Sequence, residues 1–454
     1  MKNAIKNIYA LEILDSRGCP TVKVHVVLEG GACGSACAPS GTSTGRREKH
    51  ERCDGDKSRY FGRGVQSAVS LIRSQVHDRF VGWDAFNQML IDHELQHFYG
   101  KKAGAALGSN VTAAVSMAVA CAAAAAAGLP LYRYLGGPWA RRLPMPMMNV
   151  LNGGKHADSG LDFQEFMIVP LGAPTFAEAI RYGAETFHSL KALLTERGFS
   201  TAVGDEGGFA PALSGNEEAC ALIQEAIERA GYEPGRDISI ALDPAASSFW
   251  RNGQYYLGRH PAKALSAAML EEEYSRLVTR YPIVSIEDGF AEDDWEAFVA
   301  QTREIGRNVQ IVGDDLYVTD ADAIRRGADR SATNAVLIKI NQIGTVTQAV
   351  DAIGVCRQRG LAFVISHRSG ETEDTFIADF SVAMGGGQIK TGSLSRSERL
   401  AKYNRLLEIE QELGDVAQFC FLSPQRSVES PPIEKGRGRK LEGAAAARAR
   451  ARAP

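Results

Sequence analysis

Short apolar segments alternate with amphipathic helical patterns over most of the chain. Eight of these segments are nearly continuous in apolar residues, as in strands that are buried on both faces. The predicted strands are 144–150, 163–169, 238–242, 283–286, 309–312, 335–338, 362–365 and 388–389. Predicted helices include 175–194, 216–230, 295–304, 346–359 and 375–383. This alternation predicts an α/β fold in which parallel strands close into a TIM-type (β/α)8 barrel.

The N-terminal third of the chain has a different pattern. Residues 21–28 alternate between apolar and polar side chains, which predicts a half-buried strand. Residues 30–45 are rich in Gly, Ser and Thr, which predicts a mobile loop. Helical patterns then continue to about residue 134, and a Gly-Gly-Pro sequence at 136–138 predicts a domain boundary. The domains expected are therefore an N-terminal α+β domain (1–137), a barrel domain (138–421) and a disordered tail (422–454).

Charge is distributed unevenly along the chain. The net charge is −3, but residues 422–454 contain eight Lys or Arg and three Glu, so the remainder is acidic. An acidic body excludes a protein that binds nucleic acid over its whole surface. The basic tail leaves weak contact with nucleic acid or an acidic surface open.

Composition also bears on the compartment. The eight cysteines have no paired CxxC spacing, which predicts free thiols in a reducing compartment. The stretch 111–129 is mostly alanine, which predicts a buried helix rather than a membrane span. The N-terminus has no signal-peptide pattern, so we expect a cytoplasmic protein, with a secondary surface or secreted pool left open.

Ionisable side chains follow six successive predicted strands. The carboxyl ends of parallel strands meet at one face of a barrel, so these groups should share one mouth. They are Asp243, Glu287, Asp288, Asp314, Asp315, Lys339, His367 and Lys390. Clustered carboxylates need a cation, and hard oxygen ligands suit Mg²⁺. We predict that Asp243, Glu287 and Asp314 bind Mg²⁺, and that Asp288 and Asp315 orient water or neighbouring lysines.

Lys339 is the predicted general base. A bound cation and the ammonium group of Lys390 both disfavour a protonated Lys339, and burial acts in the same direction. Its pKa should therefore be low enough for proton transfer near neutral pH. The substrate implied is a carboxylate bound to the metal, which stabilises the dianion formed when a proton leaves the adjacent carbon.

Two loop segments supply further candidates. The sequence GDEGGFAP at 204–211 presents adjacent acids between glycines. Glu206 is either a general acid that protonates a leaving hydroxyl or part of a solvated turn, and the spacing alone leaves both open. Arg368 and Ser369 follow His367 and provide a planar cation and a hydroxyl, which suit a phosphate group.

Long motifs across the chain resemble the enolase family. The resemblance is colinear over about residues 14–414 and includes LDSRG (14–18), PSGTSTG (39–45), GDEGGFAP (204–211), SIEDG (285–289), LIKINQIG (337–344), SHRSGETED (366–374) and GQIKTGS (387–393). It implies reversible dehydration of 2-phosphoglycerate to phosphoenolpyruvate in glycolysis and gluconeogenesis. It also implies an irregular barrel whose second strand is antiparallel to the first, two Mg²⁺ per active site, a capping and dimerisation role for the N-terminal domain, and a homodimer or octamer.

The resemblance further implies a role for each matching residue. It makes Asp243, Glu287 and Asp314 the ligands of the tighter Mg²⁺ and Ser43 the ligand of the second. Lys339 is then the base at C2, and Glu206 assists loss of the C3 hydroxyl. An ion pair between subunits is expected at Arg17. Substrate contacts are implied for Gln164 and Glu165 beside Glu206, His156, His367, Lys390 at the substrate carboxylate, and Arg368 and Ser369 at the phosphate.

Three functions remain to be distinguished at this point. The first is an active enolase. The second is another metal-dependent dehydratase or racemase of the same superfamily, against which Arg368, Ser369 and the 40–45 loop argue because they suit a phosphorylated substrate. The third is a non-catalytic binding or scaffold protein, which the basic tail and a divergent N-terminal helix suggest.

Overall fold

The computed structural model describes residues 1–41, 45–98, 107–157, 159–258 and 263–419. These residues belong to one compact unit. Ser43, Cys420 and the tail predicted over 422–454 lie outside the described residues. The seven cysteines within the described part are free thiols, as predicted for them.

A small antiparallel sheet and several helices form the N-terminal part. Three strands, β1 (Ile5–Leu14), β2 (Pro20–Leu28) and β3 (Cys33–Cys37), lie in the order β1–β2–β3. The strand predicted at 21–28 is confirmed as part of β2. The helices are α1 (Gln66–Leu71), α2 (His77–Phe80), α3 (Gln88–His97), α4 (Ser109–Ala127) and α5 (Leu131–Gly136), with a π-helical turn at Ile72–Val76 and a 3-10 turn at Tyr60–Gly62.

The prediction of a mobile loop over residues 30–45 is wrong where β3 forms. This strand pairs with β2 and packs against α4. A Cβ atom at Gly34 would lie only 2.1 Å from the backbone nitrogen of Ala122. Gly34 therefore permits close approach of the strand to the helix, a second use of glycine that composition does not distinguish from flexibility.

Helix α4 is the alanine-rich segment of the sequence. By length and composition it could cross a membrane, but 78% of its most apolar window is buried inside the protein. Small side chains let β2, β3 and neighbouring helices approach it closely. The prediction of a buried helix is confirmed.

Eight strands close into the predicted barrel. In chain order, the strands after α5 are β4 (Arg142–Leu143), β5 (Met145–Asn152), β6 (Glu165–Val169), β7 (Ser239–Asp243), β8 (Trp250–Arg251), β9 (Gln254–Leu257), β10 (Lys263–Leu265), β11 (Ile283–Glu287), β12 (Gln310–Gly313), β13 (Ala335–Ile338), β14 (Ala362–Ser366), β15 (Gln388–Lys390) and β16 (Gln418–Phe419). The barrel order is β5–β6–β7–β11–β12–β13–β14–β15. β6 is antiparallel to both neighbours and the other pairs are parallel, which confirms the irregular barrel.

Helices surround the barrel and connect its strands. They are α6 (Phe176–Glu196), α7 (Asn216–Arg229), α8 (Ala267–Arg280), α9 (Trp295–Ile305), α10 (Ala321–Arg330), α11 (Ile340–Ile343), α12 (Val346–Arg359), α13 (Phe376–Ala383) and α14 (Ser397–Leu413). Side chains of Thr175, Asp294 and Thr345 accept hydrogen bonds from backbone N–H groups three residues onward, which fixes where α6, α9 and α12 begin.

The barrel interior is filled by apolar side chains. Inward residues form a compact cluster that is fully or almost fully buried: Met145, Met147, Met167, Val169, Ala241, Val312, Ala335, Leu337 and Val364. Two buried amides, Gln310 and Gln388, satisfy each other across the interior at 3.0 and 2.6 Å. This packed core holds the strands in register, so the charged residues that follow them lie at one rim.

Candidate active site

A cavity at this rim is lined by most of the residues singled out from the sequence. Glu287 is also buried and forms an ion pair with Lys390, one of the residues that line the cavity. Of the sequence candidates, only Ser43 lies outside the described residues. The cavity lining includes His156, Gln164, Glu165, Glu206, Asp243, Asp288, Asp314, Asp315, Lys339, His367, Arg368, Ser369 and Lys390. The side chains predicted from distant parts of the sequence are therefore brought together at one end of the barrel.

Lys390 joins three carboxylates from neighbouring strands. Its Nζ lies 2.8 Å from Asp243 Oδ2, 3.0 Å from Glu287 Oε1 and 3.1 Å from Glu165 Oε1. Burial would lower the pKa of Lys390, but the three carboxylates outweigh it and hold that pKa well above its usual value. A protonated Lys390 thus offsets part of the negative charge gathered there.

Lys339 extends from the end of β13 to Asp314, which follows β12. Its Nζ donates to Asp314 Oδ2, and the other carboxylate oxygen accepts from Gln342 at 3.0 Å. Burial lowers the pKa of Lys339, but Asp314 outweighs burial and the pKa lies above its usual value. The pKa was predicted to be lowered, so this direction is opposite to the predicted one. The prediction considered a bound cation and Lys390, which would lower the pKa, whereas the nearest charge that the protein supplies is the carboxylate of Asp314.

Glu165 and Glu206 form an acid pair beside His156. One carboxylate oxygen of each and a ring nitrogen of His156 all lie within 4.8 Å of one another. Burial and the neighbouring Glu206 raise the pKa of Glu165 well above its usual value. Burial would raise the pKa of Glu206 as well, but His367 and His156 outweigh it and hold that pKa well below. The two carboxylates therefore titrate as one coupled pair.

Glu206 is held in a buried loop, so the alternative of a solvated turn is excluded. The backbone N–H of Gly204 donates to the carbonyl of Gly208 at 2.8 Å, and that of Phe209 donates to Val150 on β5 at 2.9 Å. Gly207 has φ +91°, and a Cβ there would lie 2.7 Å from the carbonyl oxygen of Ser395. The glycine is required on both counts.

The predicted roles of Asp288 and Asp315, to orient water or neighbouring lysines, remain predictions. Asp288 accepts hydrogen bonds from the backbone N–H groups of Asp314 at 2.9 Å and Asp315 at 2.8 Å. It therefore fixes the turn that carries Asp314. Burial, with the charge of Asp314, raises the pKa of Asp315 to about 7. Backbone donors cannot be read from residue spacing, so these contacts of Asp288 were not predicted.

Arg368 lies in a buried hydrogen-bond network at the edge of the cavity. Its guanidinium donates to Glu48 at 2.5 and 3.1 Å and to Asn341 Oδ1 at 3.0 Å. Burial lowers the pKa of Arg368, but Glu48 outweighs it and raises that pKa. Ser369 Oγ lies 3.4 Å from Arg17 Nη1.

Arg17 makes its described contacts within the chain. Its Nη2 donates to Asp15 Oδ2 at 3.1 Å and to Ser40 Oγ at 2.7 Å. A contact of Arg17 with a second subunit remains only a prediction.

The donor set fits a hard divalent cation. Carboxylates from three neighbouring strand ends converge with no thiolate among them. Buried polar atoms face the same cavity without a hydrogen-bond partner among the described residues: His156 Nδ1, Gln164 Oε1 and Glu165 Oε2. Among the described residues, the ligand atoms of His156, Glu165 and Glu206 lie within 4.8 Å of one another, and so do those of Asp288, Asp314 and Asp315; of the predicted ligands with described coordinates, Asp314 alone belongs to either group.

Several contributing residues were not identified from the sequence. Glu48 pairs with Arg368, Asn149 donates to Glu206 Oε2 at 3.1 Å, and Arg399 donates to His367. Their partners are 320, 57 and 32 residues away in the chain, respectively, so no local spacing relates them. Glu48 and Arg399 occur in segments rich in charged residues, where a buried charge looks like a solvated one.

Comparisons with known proteins agree with this geometry. Residues 5–135 match the family described as "Enolase, N-terminal domain", and residues 140–427 match "Enolase, C-terminal TIM barrel domain". Enolase 1 of Methylococcus capsulatus is 57% identical over 419 residues, which cover 92% of this chain and 100% of that protein. Residues 428–454 lie beyond both family matches.

Proposed function

We propose a role for each residue of the site, starting from the fact that the chain belongs to the enolase family and is a phosphopyruvate hydratase. The reaction is the reversible dehydration of 2-phosphoglycerate to phosphoenolpyruvate. The enzyme is a lyase that uses a divalent metal and a small-molecule substrate. The observation that supports the scheme is one buried cavity lined by a lysine amine, an acid pair and an Arg–Ser pair.

Two Mg²⁺ ions are the proposed cofactors. Asp243, Glu287 and Asp314 would hold one, and Ser43 would contribute to the second. When bound, the ions supply positive charge that stabilises the dianion formed by proton loss next to a carboxylate. The carboxylates that converge on the cavity support this assignment, because hard oxygen ligands suit Mg²⁺.

Lys339 is the proposed base at C2. Asp314, the group that raises the pKa of Lys339, is also a proposed metal ligand. Positive charge placed on Asp314 would offset its effect, and burial would then lower the pKa toward neutrality. Lys339 Nζ takes the C2 proton in the forward direction and returns it in the reverse direction.

Glu206 is the proposed acid for loss of the C3 hydroxyl. It shares one proton with Glu165, whose carboxylate lies within 4.8 Å. Transfer of that proton to the departing hydroxyl lets it leave as water rather than hydroxide. His156 and Gln164, which line the same cavity, would orient the hydroxyl.

The remaining contacts would fix the substrate between base and acid. Arg368 and Ser369 would bind the phosphate, since a guanidinium and a hydroxyl match its oxygens. Lys390 would contact the substrate carboxylate, and His367 would line the pocket beside Glu206. Holding the reacting carbon close to Lys339 supplies a large part of the rate enhancement.

Replacing Lys339 with Ala tests the scheme. Formation of phosphoenolpyruvate, followed by its ultraviolet absorbance, should fall by on the order of 10⁴-fold. Lys191→Ala, an exposed lysine on α6, is the matched control and should leave the rate unchanged. Wild-type enzyme should lose activity in a chelator and recover it with Mg²⁺. Undiminished turnover by the Lys339 variant, or by metal-free enzyme, contradicts the proposal.

A homodimer, or an octamer built from dimers, is the proposed assembly, and the proposed location is the cytoplasm. Residues 1–137 would form the capping and dimerisation domain and residues 138–421 the catalytic barrel. β1 is an edge strand, and Tyr9 and Leu11 on it are 38% and 40% exposed. Such an edge is commonly covered. Light scattering of the purified chain would measure the mass, and a monomer would refute this assignment.

A further inference from the structure

Arg399 on α14 is a fully buried arginine that no role proposed so far uses. Its relative exposure is 0%, and it is among the largest fully buried side chains of the described residues. A buried guanidinium is costly unless its donors are satisfied. Its partners are therefore informative: Nε lies 3.4 Å from Glu398 Oε1 on the same helix, whereas the acceptors of both Nη atoms lie on the two segments that carry Glu206, His367, Arg368 and Ser369.

The guanidinium of Arg399 holds these two segments together. Nη1 donates to the carbonyl of Arg368 at 2.7 Å, and Nη2 donates to the carbonyls of Ser369 at 2.6 Å and Asp205 at 3.1 Å. The planar fork of arginine suits several acceptors in fixed directions, which a lysine cannot match. Gly392 makes room for the side chain, because a Cβ there would lie 2.5 Å from Arg399 Cδ.

One further contact acts on the chemistry of His367. Arg399 Nη1 lies 2.5 Å from His367 Nδ1, and a guanidinium can only donate. Nδ1 is therefore the acceptor nitrogen, and the ring proton must be on Nε2. Nε2 faces Glu206 Oε2 at 3.5 Å, a separation that can shorten when substrate binds.

We propose that Arg399 is a positioning residue for the acid step: it fixes the His367 tautomer whose Nε2–H faces Glu206, and so stabilises the carboxylate left after Glu206 gives its proton to the departing hydroxyl. This inference rests on the proposed function of Glu206. A stabilised conjugate base makes proton donation easier in the dehydration direction. The cation also disfavours a second proton on His367, which would reverse the orientation of its hydrogen bonds.

The two halves of the reaction separate this role from general structural support. Lys339 acts on the C2–H bond, and Glu206 acts on the C3–O bond. With 2-phosphoglycerate deuterated at C2, removal of the deuteron, exchange of the lysine proton with water and return of a proton to C2 regenerate unlabelled substrate without dehydration. Mass spectrometry measures this exchange, and ultraviolet absorbance measures dehydration, on the same Mg²⁺-loaded enzyme.

Arg399→Met should slow dehydration by on the order of 10²-fold while C2 exchange and KM change little. Arg405→Met, which removes a half-buried arginine from the same helix, is the control and should change neither rate. A parallel loss of exchange and dehydration in Arg399→Met, or no loss of either, overturns the proposal. Lys339→Ala, by contrast, should lose exchange, and persistence of exchange there contradicts the proposed function instead.

A spectroscopic measurement keeps the inference testable if Arg399→Met does not fold. In wild-type enzyme labelled with ¹⁵N-histidine, the Nδ1 resonance of His367, assigned by its absence in His367→Gln, should report an unprotonated acceptor and Nε2 a protonated donor. A proton on Nδ1 overturns the proposal.

Discussion

Replacing His367 with Gln should change how the stability of the protein depends on pH. Burial, followed by the charge of Arg399, lowers the pKa of His367 from 6.5 to about 4, against the opposing pull of Glu206. Gln cannot titrate, yet its amide can still donate to Glu206. The substitution therefore removes the ionisation of His367 and keeps the donor on that side.

The magnitude follows from the two pKa values. Above pH 6.5, His367 is neutral in both the folded and the unfolded chain and contributes no pH dependence. Between pH 6.5 and 4, the unfolded chain binds a proton there that the folded protein does not, so stability is lost as the pH falls. The difference between 6.5 and about 4 corresponds to about 3 kcal/mol.

Urea denaturation of both proteins at pH 7 and pH 4, in a chelator and at one protein concentration, measures this difference. Carboxylates that do not contact His367 titrate alike in both proteins, so their contribution cancels when the two changes are subtracted. The free energy of unfolding of the wild type should fall by about 3 kcal/mol more than that of His367→Gln. Equal changes would show that His367 ionises alike in the folded and unfolded states and would refute the reasoning.

Other substitutions test packing and the phosphate network. Glu48→Gln leaves the charge of Arg368 buried beside a neutral partner, and should lower the free energy of unfolding by about 3–5 kcal/mol and raise the KM for 2-phosphoglycerate; an unchanged KM would dissociate Glu48 from substrate binding. Gly34→Ala should destabilise by about 1–3 kcal/mol, because its Cβ would overlap Ala122. Gly354→Ala, on a helix with open space around it, is the control and should stabilise by about 0.5–1 kcal/mol in thermal melts.

The barrel could be predicted because its strands are unusually apolar and regularly spaced. Once parallel strands were assumed, the placement of Asp243, Lys339 and Lys390 at one rim followed from topology alone. β3 was missed because its cysteines and small residues lack strand periodicity. Helix α8 was not named either, although its capping Ser266 is visible in the sequence.

Charge states could not be predicted from the same information. The pKa of Lys339 depends on which of several carboxylates lies nearest, and strand order alone does not fix that distance. Asp288 was predicted to orient water or neighbouring lysines, and the backbone N–H groups that donate to it could not be foreseen from spacing. The roles of Glu48 and Arg399 depend on contacts between remote segments. Each of these properties depends on a distance between side chains that are remote in sequence, and helix or strand periodicity does not determine such a distance.

The reversed strand β6 has a consequence for the rigidity of the acid pair. A strand that runs opposite to its neighbours begins at the rim where they end, so Glu165 is paired in the ladder with Asn152 on one side and Asp243 on the other. Glu206 lies on a loop, whereas Glu165 is the first residue of a barrel strand. Of the two acids, Glu206 can adjust its position to the substrate, while Glu165 stays fixed by the barrel. Insertions in the segment before β6 should therefore lengthen the entrance to the cavity without displacing Glu165.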